Sequence, residues 1–181
     1  VKAIVGGRGD KTASKTLNRA TDTTRQPGST FKILASYSAA LDAGGLTLAS
    51  VQDDAPYTYA GANGKSVNNY DRRYRGFTTL REAITDSINI VTVKTLAQAG
   101  VSLGWQYVQE YGFTTVDSRD MNEALALGGI TQGVSNLELT AAYAAIANQG
   151  TYIKPKFYTK ILDHDGNVLI DNTTPESYTV I

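Results

Sequence analysis

Ser29 and Lys32 are the residues whose types and spacing first suggest catalysis. They stand three apart in the stretch RQPGSTFK, residues 25–32, and residues three apart on a helix share a face. A serine hydroxyl is a weak nucleophile unless a base lies beside it. Burial lowers the pKa of a lysine amine because it disfavours the charged form, so that a neutral Lys32 can accept the serine proton. The pair therefore predicts an activated serine nucleophile.

The position of Ser29 at the start of a predicted helix also suits acyl transfer. Unpaired amides and the helix dipole favour negative charge at that end, so the Ser29 amide is a candidate donor to the oxyanion of an acyl-transfer intermediate. Pro27 and Gly28 give the chain a sharp entry that exposes the serine. Taken alone, the same residues fit a serine N-cap with a surface lysine equally well, and both interpretations stay open at this point.

A second polar pair, Ser87 and Asn89, lies between two predicted helices. A second serine can relay a proton from the base to a leaving amine, and an asparagine can hold a substrate amide by donating and accepting at once. Serine and asparagine also favour ordinary helix-to-helix turns. Together with Ser29 and Lys32, however, the pair favours the catalytic interpretation.

The composition argues against other chemistries. His164 is the sole histidine and lies in a predicted turn, so we expect it to be solvated and no Ser-His-Asp triad to form. The chain has no cysteine, which excludes thiol catalysis, a disulfide scaffold and cysteine metal sites. No pattern of metal-ligand spacing is present, and we expect neither a metal ion nor a cofactor.

Length and charge further narrow the classes of protein to which the chain can belong. The chain has 181 residues, enough for one domain with a sizeable core. Its 17 Lys and Arg residues balance 17 Asp and Glu residues, so no global field attracts nucleic acid, and we expect no nucleic-acid partner. No apolar run reaches the roughly 18 residues that a membrane-spanning helix needs.

The elements that must position the polar residues are mainly helices. An apolar stretch over 29–43 predicts a buried helix that Gly44 and Gly45 end. Capping-box patterns open two further helices, and these patterns are Thr79 with Glu82 and Ser135 with Glu138. Helices are also predicted over 90–99, 101–111 and 137–148, with a short apolar segment over 122–127.

Strands are predicted near both ends of the chain. Residues 1–5 predict an apolar strand, and residues 178–181 form an extended apolar run. Alternation over 157–161 and 168–170, around a polar turn, predicts a β-hairpin. Residues 8–25 and 50–78 are predicted to be mostly loop, because turn-forming residues punctuate them.

These motifs and their order resemble the transpeptidase domain of a penicillin-binding protein. Ser29 to Lys32 matches the Ser-x-x-Lys motif of this group and of class A β-lactamases. The stretch TLREAI, residues 79–84, leads to Ser87-Ile88-Asn89 and is similar to the approach to the second motif. Residues 128–150 resemble the segment that follows. Arg25-Gln26, which precede the first motif, and Thr79-Leu80-Arg81, which precede the second, look most like the corresponding residues of the bifunctional class A penicillin-binding proteins.

The resemblance implies an α+β fold of the penicillin-binding and serine β-lactamase-like type, an antiparallel sheet with a helical cluster and Ser29 at their junction. It implies a peptidoglycan d,d-transpeptidase in which Ser29 attacks the penultimate d-alanine carbonyl of a stem peptide. An amine on a neighbouring peptidoglycan strand then takes the acyl group. Lys32 would be the base, Ser87 the proton relay, and Asn89 a partner of the substrate and the lysine. β-Lactams would acylate Ser29 as substrate mimics.

One motif of the family is absent from the sequence. Lys-Thr-Gly does not occur, and the Lys-Thr pairs that begin at Lys11 and Lys94 lack the glycine. In the family this motif lies on a strand downstream of the point that Ile181 occupies here. We therefore expect residues 1–181 to form a single partial transpeptidase domain without its C-terminal sheet strands, and such a fragment can be inactive. Its exposed strand edges would invite pairing with another chain.

By the same resemblance, the full-length protein would carry a glycosyltransferase domain and a membrane anchor, and would act at the extracytoplasmic face of the bacterial cell membrane. Two alternatives stay open. One is a d,d-carboxypeptidase or β-lactamase-like hydrolase, against which the flanks of Ser29 argue, as does Ile88 in the place of the Asp of Ser-Asp-Asn. The other is a non-catalytic penicillin-recognising module, against which the joint presence of base and relay argues.

Overall fold

A computed structural model describes residues 1–10, 12–60 and 64–181. The predictions that fall on Lys11 and on the turn residues 61–63 lie outside the described residues. The chain divides into two compact units, a central unit, Arg25–Val134, and a terminal unit, which combines Val1–Thr24 with Ser135–Ile181. The single partial domain over residues 1–181 stays a prediction.

The described residues form short elements joined by tight turns. The α-helices are α1 Ser38–Asp42, α2 Leu80–Thr85, α3 Asn89–Ala99, α4 Val101–Glu110 and α5 Asn136–Ala147. Tighter or wider helical segments are the 3-10 turns Gly28–Thr30, Ser118–Asp120 and Glu123–Leu127 and the π-helix Ile33–Tyr37. The strands are β1 Thr24–Arg25, β2 Val51–Asp54, β3 Tyr57–Thr58, β4 Ser66–Val67, β5 Gly76–Thr79, β6 Val134–Ser135, β7 Thr151–Ile153, β8 Lys160–Leu162, β9 Val168–Asp171 and β10 Ser177–Thr179.

The predicted helix over 29–43 forms, but it is not a uniform α-helix. It opens as the 3-10 turn Gly28–Thr30, continues as the π-helix Ile33–Tyr37 and ends as α1. The backbone N–H and the hydroxyl of Ser38 both donate to the carbonyl oxygen of Ile33, five positions back. A π-turn of this kind is rare and occurs frequently at functional sites. The apolar pattern of the sequence does not reveal it.

The helices that flank Ser87 and Asn89 agree with the sequence. Thr79 and Glu82 form both bonds of the predicted capping box at the start of α2. α3 and α4 follow within one residue of their predicted bounds, and Gly100 separates them with a φ of 108°. The apolar side of this helical cluster is buried, and its members include Tyr37, Leu80, Ala83, Ile88 and Val91.

The prediction that residues 50–78 are mostly loop is wrong for the ends of that stretch. β2 pairs with β5 in antiparallel register, from Val51 opposite Thr79 to Asp54 opposite Gly76. Between them, β3 pairs with β4. The strands are only two or four residues long, and turn-forming residues mark their ends more clearly than side-chain alternation marks their length.

In the terminal unit the C-terminal elements agree with the sequence, and the first strand does not. α5 begins with the predicted capping box of Ser135 and Glu138, and β8 and β9 form the predicted hairpin. The extended run predicted over 178–181 overlaps β10, which pairs with β7. Residues 1–5 form no strand. Because a strand requires a partner for its backbone groups, apolar residues alone do not create one.

The strand pairs within each unit are antiparallel and two-stranded. Helices and short strands therefore both contribute to the described part of the chain, as an α+β fold requires. No helix among the described residues combines the length and the apolarity that crossing a bilayer demands.

Candidate active site

Ser29 lies in a turn that the sequence shapes locally. Gly28 has a φ of 58°, a left-handed value that favours glycine. The hydroxyl of Thr30 donates to the carbonyl oxygen of Pro27 at 2.7 Å, and the side-chain nitrogen of Gln26 donates to the carbonyl oxygen of Ile130 at 3.1 Å. Ser29 itself is exposed. The prediction that Pro27 and Gly28 present the serine to solvent is confirmed.

Lys32 lies one turn further along, and its amine is buried. Its side chain donates to the carbonyl oxygen of Ser87 at 2.5 Å, to the hydroxyl of Ser87 at 2.9 Å and to Oδ1 of Asn89 at 2.6 Å. The residue is 3% exposed, and burial lowers its pKa from 10.5 to about 8. The three sequence-predicted residues Lys32, Ser87 and Asn89 are thus brought together.

All three hydrogens of the Lys32 ammonium are used by these bonds. Among the described residues, the Lys32 amine makes these three bonds and none to the Ser29 hydroxyl. A neutral amine has two hydrogens and one lone pair, so loss of a proton frees one of the three directions. The geometry is compatible with an amine that gives up one of its present bonds when it loses a proton, and that can then accept a proton through its lone pair.

Ser87 occupies a backbone position that usually belongs to glycine. Its φ is 54°, and the turn around it ends α2 with two backbone bonds. The N–H of Ser87 donates to the oxygen of Ile84 at 3.2 Å, and the N–H of Ile88 donates to the oxygen of Ala83 at 2.9 Å. These are the two bonds of the Schellman motif. A left-handed conformation disfavours residues other than glycine, so Ser87 is strained. The two turn bonds and the contacts with Lys32 keep it in this conformation.

Asn89 is the first residue of α3, and each end of its side-chain amide has a partner. Its oxygen accepts from Lys32, and its nitrogen donates to the carbonyl oxygen of Asn68 at 2.7 Å. The backbone N–H of Asn89 donates to Oδ1 of Asn69 at 3.0 Å. The asparagine is therefore held by the loop before β5 as well as by the lysine.

A close approach of two glycines fixes the turn that carries Ser29. Gly128, with a φ of 71°, ends the 3-10 turn Glu123–Leu127. A Cβ at Gly128 would lie 2.6 Å from both the nitrogen and the oxygen of Gly28, closer than any real Cβ contact. The neighbouring backbone can therefore reach Gly28 only because residue 128 has no side chain.

Sequence reasoning missed several residues that shape this site. Asn69, Asp54 and Asn68 were assigned only to loop, and Gly128 only to the segment 128–150 that carries the family resemblance. No sequence pattern indicates that Asp54 is buried. Its complete burial results from long-range packing in the folded chain. The Gly-Gly pair at 128–129 was the one available signal, since paired glycines mark places where backbones come close.

Other polar residues lie outside this chemistry. The His164 side chain is 89% exposed, with Nε2 3.2 Å from a carboxylate oxygen of Asp165. Lys94 donates to the carbonyl oxygen of Asp53 at 2.6 Å, and Thr95 bonds within α3. Among the described residues, no group of three His, Asp or Glu side chains is arranged to hold a metal ion.

Comparison with known proteins identifies the family. The family model described as the penicillin binding protein transpeptidase domain matches residues 3–180. The chain belongs to this family. The resemblance seen in the sequence motifs is thereby confirmed, and the matched range includes Ser29, Lys32, Ser87 and Asn89.

The similar proteins include penicillin-binding proteins named 1F and 1A. Penicillin-binding protein 1F of Bacillus subtilis (strain 168) is 42% identical over 172 residues, a match that covers 95% of this chain and 23% of that protein. The crystal structure of penicillin-binding protein 1A from Haemophilus influenzae has a TM-score of 0.76 at 33% identity, and covers 90% of this chain and 24% of that chain. The chain spans about a quarter of the length of the curated relatives it matches.

A more distant structure shares the fold alone. Penicillin-binding protein A of M. tuberculosis, solved as an imipenem acyl-enzyme complex, has a TM-score of 0.76 at 22% identity, and covers 91% of this chain and 42% of that chain. Together with the H. influenzae structure, it confirms the predicted fold class. The fold of this transpeptidase-family chain is α+β and of the penicillin-binding type.

Proposed function

We propose that the chain carries the acylation site of a peptidoglycan d,d-transpeptidase, with Ser29 as nucleophile and Lys32 as base. The observation that supports this proposal is the buried Lys32 amine, held by Ser87 and Asn89. A module that only binds penicillin or peptidoglycan does not require an amine whose pKa lies near 8. General base catalysis, in contrast, works best with a pKa near the operating pH.

In the proposed acylation step, Oγ of Ser29 forms a bond to the carbonyl carbon of the penultimate d-alanine. The proton of Ser29 passes to the neutral amine of Lys32. It then passes through the hydroxyl of Ser87 to the nitrogen of the terminal d-alanine as the C–N bond breaks, and d-alanine leaves. The peptide remains joined to Ser29 as an ester, in which the attacking oxygen has replaced the leaving nitrogen.

In the second step, an amine of a neighbouring stem peptide attacks the ester carbon. Its proton returns through Lys32 to Oγ of Ser29, the ester bond breaks, and a new amide cross-links the two strands. A β-lactam follows only the first step. Attack by Ser29 opens the lactam ring, and the leaving nitrogen stays attached to the acyl group. We propose β-lactams as covalent ligands for this reason.

Asn89 has two roles in this proposal. Its side-chain oxygen accepts from Lys32 and so holds the amine in place. Its side-chain nitrogen, which bonds to the carbonyl oxygen of Asn68, is a donor that a substrate amide can engage. Family membership further supports a place for the full-length protein at the extracytoplasmic face of the cell membrane, with peptidoglycan stem peptides as its partners.

A product assay tests the reaction class. The full-length protein is incubated with a stem pentapeptide ending in d-Ala-d-Ala and with an amine acceptor, and the products are separated by mass. We expect release of d-alanine and a cross-linked product, both lost in Ser29→Ala. Release of d-alanine without cross-linking would identify a carboxypeptidase. Binding of the peptide without release would identify a recognition module, and either result would contradict the proposal.

A further inference from the structure

The side chain of Asn69 caps α3 from a distant part of the chain. Its oxygen accepts from the backbone N–H groups of Asn89 at 3.0 Å and of Ile90 at 3.2 Å. The first N–H groups of a helix have no partner inside the helix, and Ile88, which precedes α3, supplies no side-chain cap. Asn69 is 4% exposed, so water is a poor substitute for it. The cap comes from about twenty residues upstream in the sequence.

The orientation of the Asn69 amide is fixed from its other side. Its nitrogen donates to both carboxylate oxygens of Asp54, at 2.8 and 3.0 Å, and to the carbonyl oxygen of Arg73 at 2.8 Å. A carboxylate and a carbonyl only accept, so the nitrogen must face Asp54 and the oxygen must face α3.

The carboxylate of Asp54 is fully buried, and its charge is compensated. The backbone N–H of Arg75 donates to it at 2.9 Å, and Nη1 of the Arg75 guanidinium lies 3.8 Å away. The same guanidinium bonds to Asp71 at 3.0 Å and lies 4.0 Å from Asp86. A buried charge held in this way is an immobile anchor, because moving away from its partners would leave it unpaired.

The Asp54 carboxylate is linked to the Lys32 amine through two residues, Asn69 and Asn89. Asn69 holds the backbone of Asn89, Asn68 holds its side-chain nitrogen at 2.7 Å, and its side-chain oxygen receives the bond from Lys32 at 2.6 Å. We propose that Asn69, oriented by Asp54, is a positioning residue that sets the first turn of α3 and thereby the place of the Asn89 oxygen at the Lys32 amine. As a statement about acyl transfer, this inference rests on the proposed function.

Reversing the polarity of the Asn69–Asp54 contact provides the test. In Asn69→Asp, two buried carboxylates face each other, so the contact becomes repulsive. In the double variant with Asp54→Asn as well, the amide now at position 54 can donate to the carboxylate now at position 69, and that carboxylate still accepts from α3. We expect Asn69→Asp to slow acylation by a fluorescent penicillin about tenfold or more. The second substitution should recover the part of that loss that comes from the repulsion with Asp54, although the bond to the carbonyl oxygen of Arg73 stays lost in both variants.

Amide hydrogen exchange of the unliganded chain gives a readout that needs no catalysis. We expect the amides of Asn89 and Ile90 to exchange about tenfold faster in Asn69→Ala than in the wild type. Thr79→Ala is the matched control, because it removes the cap of α2 without touching Asn89, and it should leave both amides protected and acylation at the wild-type rate.

Unchanged exchange of these two amides in Asn69→Ala would overturn the inference, as would the absence of recovery in the double variant. Failure of the wild-type protein to form any adduct would overturn the proposed function instead. The exchange measurement would still decide whether Asn69 positions α3, so the two failures remain distinguishable.

Discussion

In the proposed mechanism, the protonation state of Lys32 sets the rate at which Ser29 is activated. Burial lowers the pKa of this amine to about 8. About one Lys32 in ten is then neutral at pH 7, against roughly one in 2,500 for a lysine with the ordinary pKa near 10.4. The hydrogen bonds from Lys32 to Ser87 and Asn89 keep this amine in a defined place while its charge is disfavoured.

The acylation rate should therefore depend on pH with a known sign. Below the pKa of Lys32 the neutral fraction rises about tenfold per pH unit, and above it the neutral fraction is constant. We expect the rate of acylation by a fluorescent penicillin to rise from pH 6 and to level off above a midpoint of about 8. Stopped-flow measurement checks this, and a rate that falls or stays flat over the same range would show that Lys32 is not the base.

Ser87 combines backbone strain with a polar contact that only a side chain can make. Ser87→Gly and Ser87→Ala both remove the hydroxyl that meets Lys32, but only glycine relieves the φ of 54°. We expect both variants to acylate about a hundredfold more slowly. The glycine variant should be more stable than the alanine variant by about 1 kcal/mol, measured by urea unfolding. Equal stability of the two would contradict the argument that this position is strained.

At the scale of elements, the turn that presents Ser29 depends on the contact of Gly28 with Gly128. Gly45 provides a matched control, because it has the same φ of 71° as Gly128 but nothing lies within 4 Å of its Cβ position. Gly128→Ala should cost about 1–3 kcal/mol more than Gly45→Ala in the free energy of unfolding, since it adds a backbone clash to the same conformational strain. It should also slow acylation, and Gly45→Ala should not. Equal effects of the two would show that the contact is unimportant.

The elements also show why some features could be predicted and others could not. The capping boxes at Thr79 and Ser135 were readable because a helix start is a local pattern, and both form. The Asn69 cap joins residues about twenty positions apart, and no local pattern announces it. Residues 1–5 are apolar enough for a strand, but a strand depends on a partner that lies elsewhere in the chain.

The residues proposed for catalysis likewise divide into local patterns and long-range contacts. Ser29 and Lys32 were readable from a three-residue spacing on a helix, and Ser87 and Asn89 from their place between two helices. What the sequence alone could not supply was the distance that joins Lys32 to Ser87, because the two residues meet across 55 positions of the chain.

At the scale of the whole molecule, the β8–β9 hairpin presents apolar side chains to solvent. Every residue of both strands is exposed, including Ile161 at 39% and Leu169 at 64%. Exposed apolar strand edges favour pairing with another chain. We expect the chain to self-associate in sedimentation experiments, and the double variant Ile161→Lys, Leu169→Lys to be monomeric. Thr173→Lys is the control for added charge, and equal self-association of all three proteins would contradict the prediction.

The central claim is that Ser29 is an activated nucleophile, and intact-mass spectrometry after incubation with a fluorescent penicillin tests it most directly. The measurement is made on this chain and on the full-length protein, each with its Ser29→Ala variant. We predict a single covalent adduct on the wild-type protein that is absent from Ser29→Ala. If the full-length wild-type protein forms no adduct, or if the adduct persists without Ser29, the account is wrong.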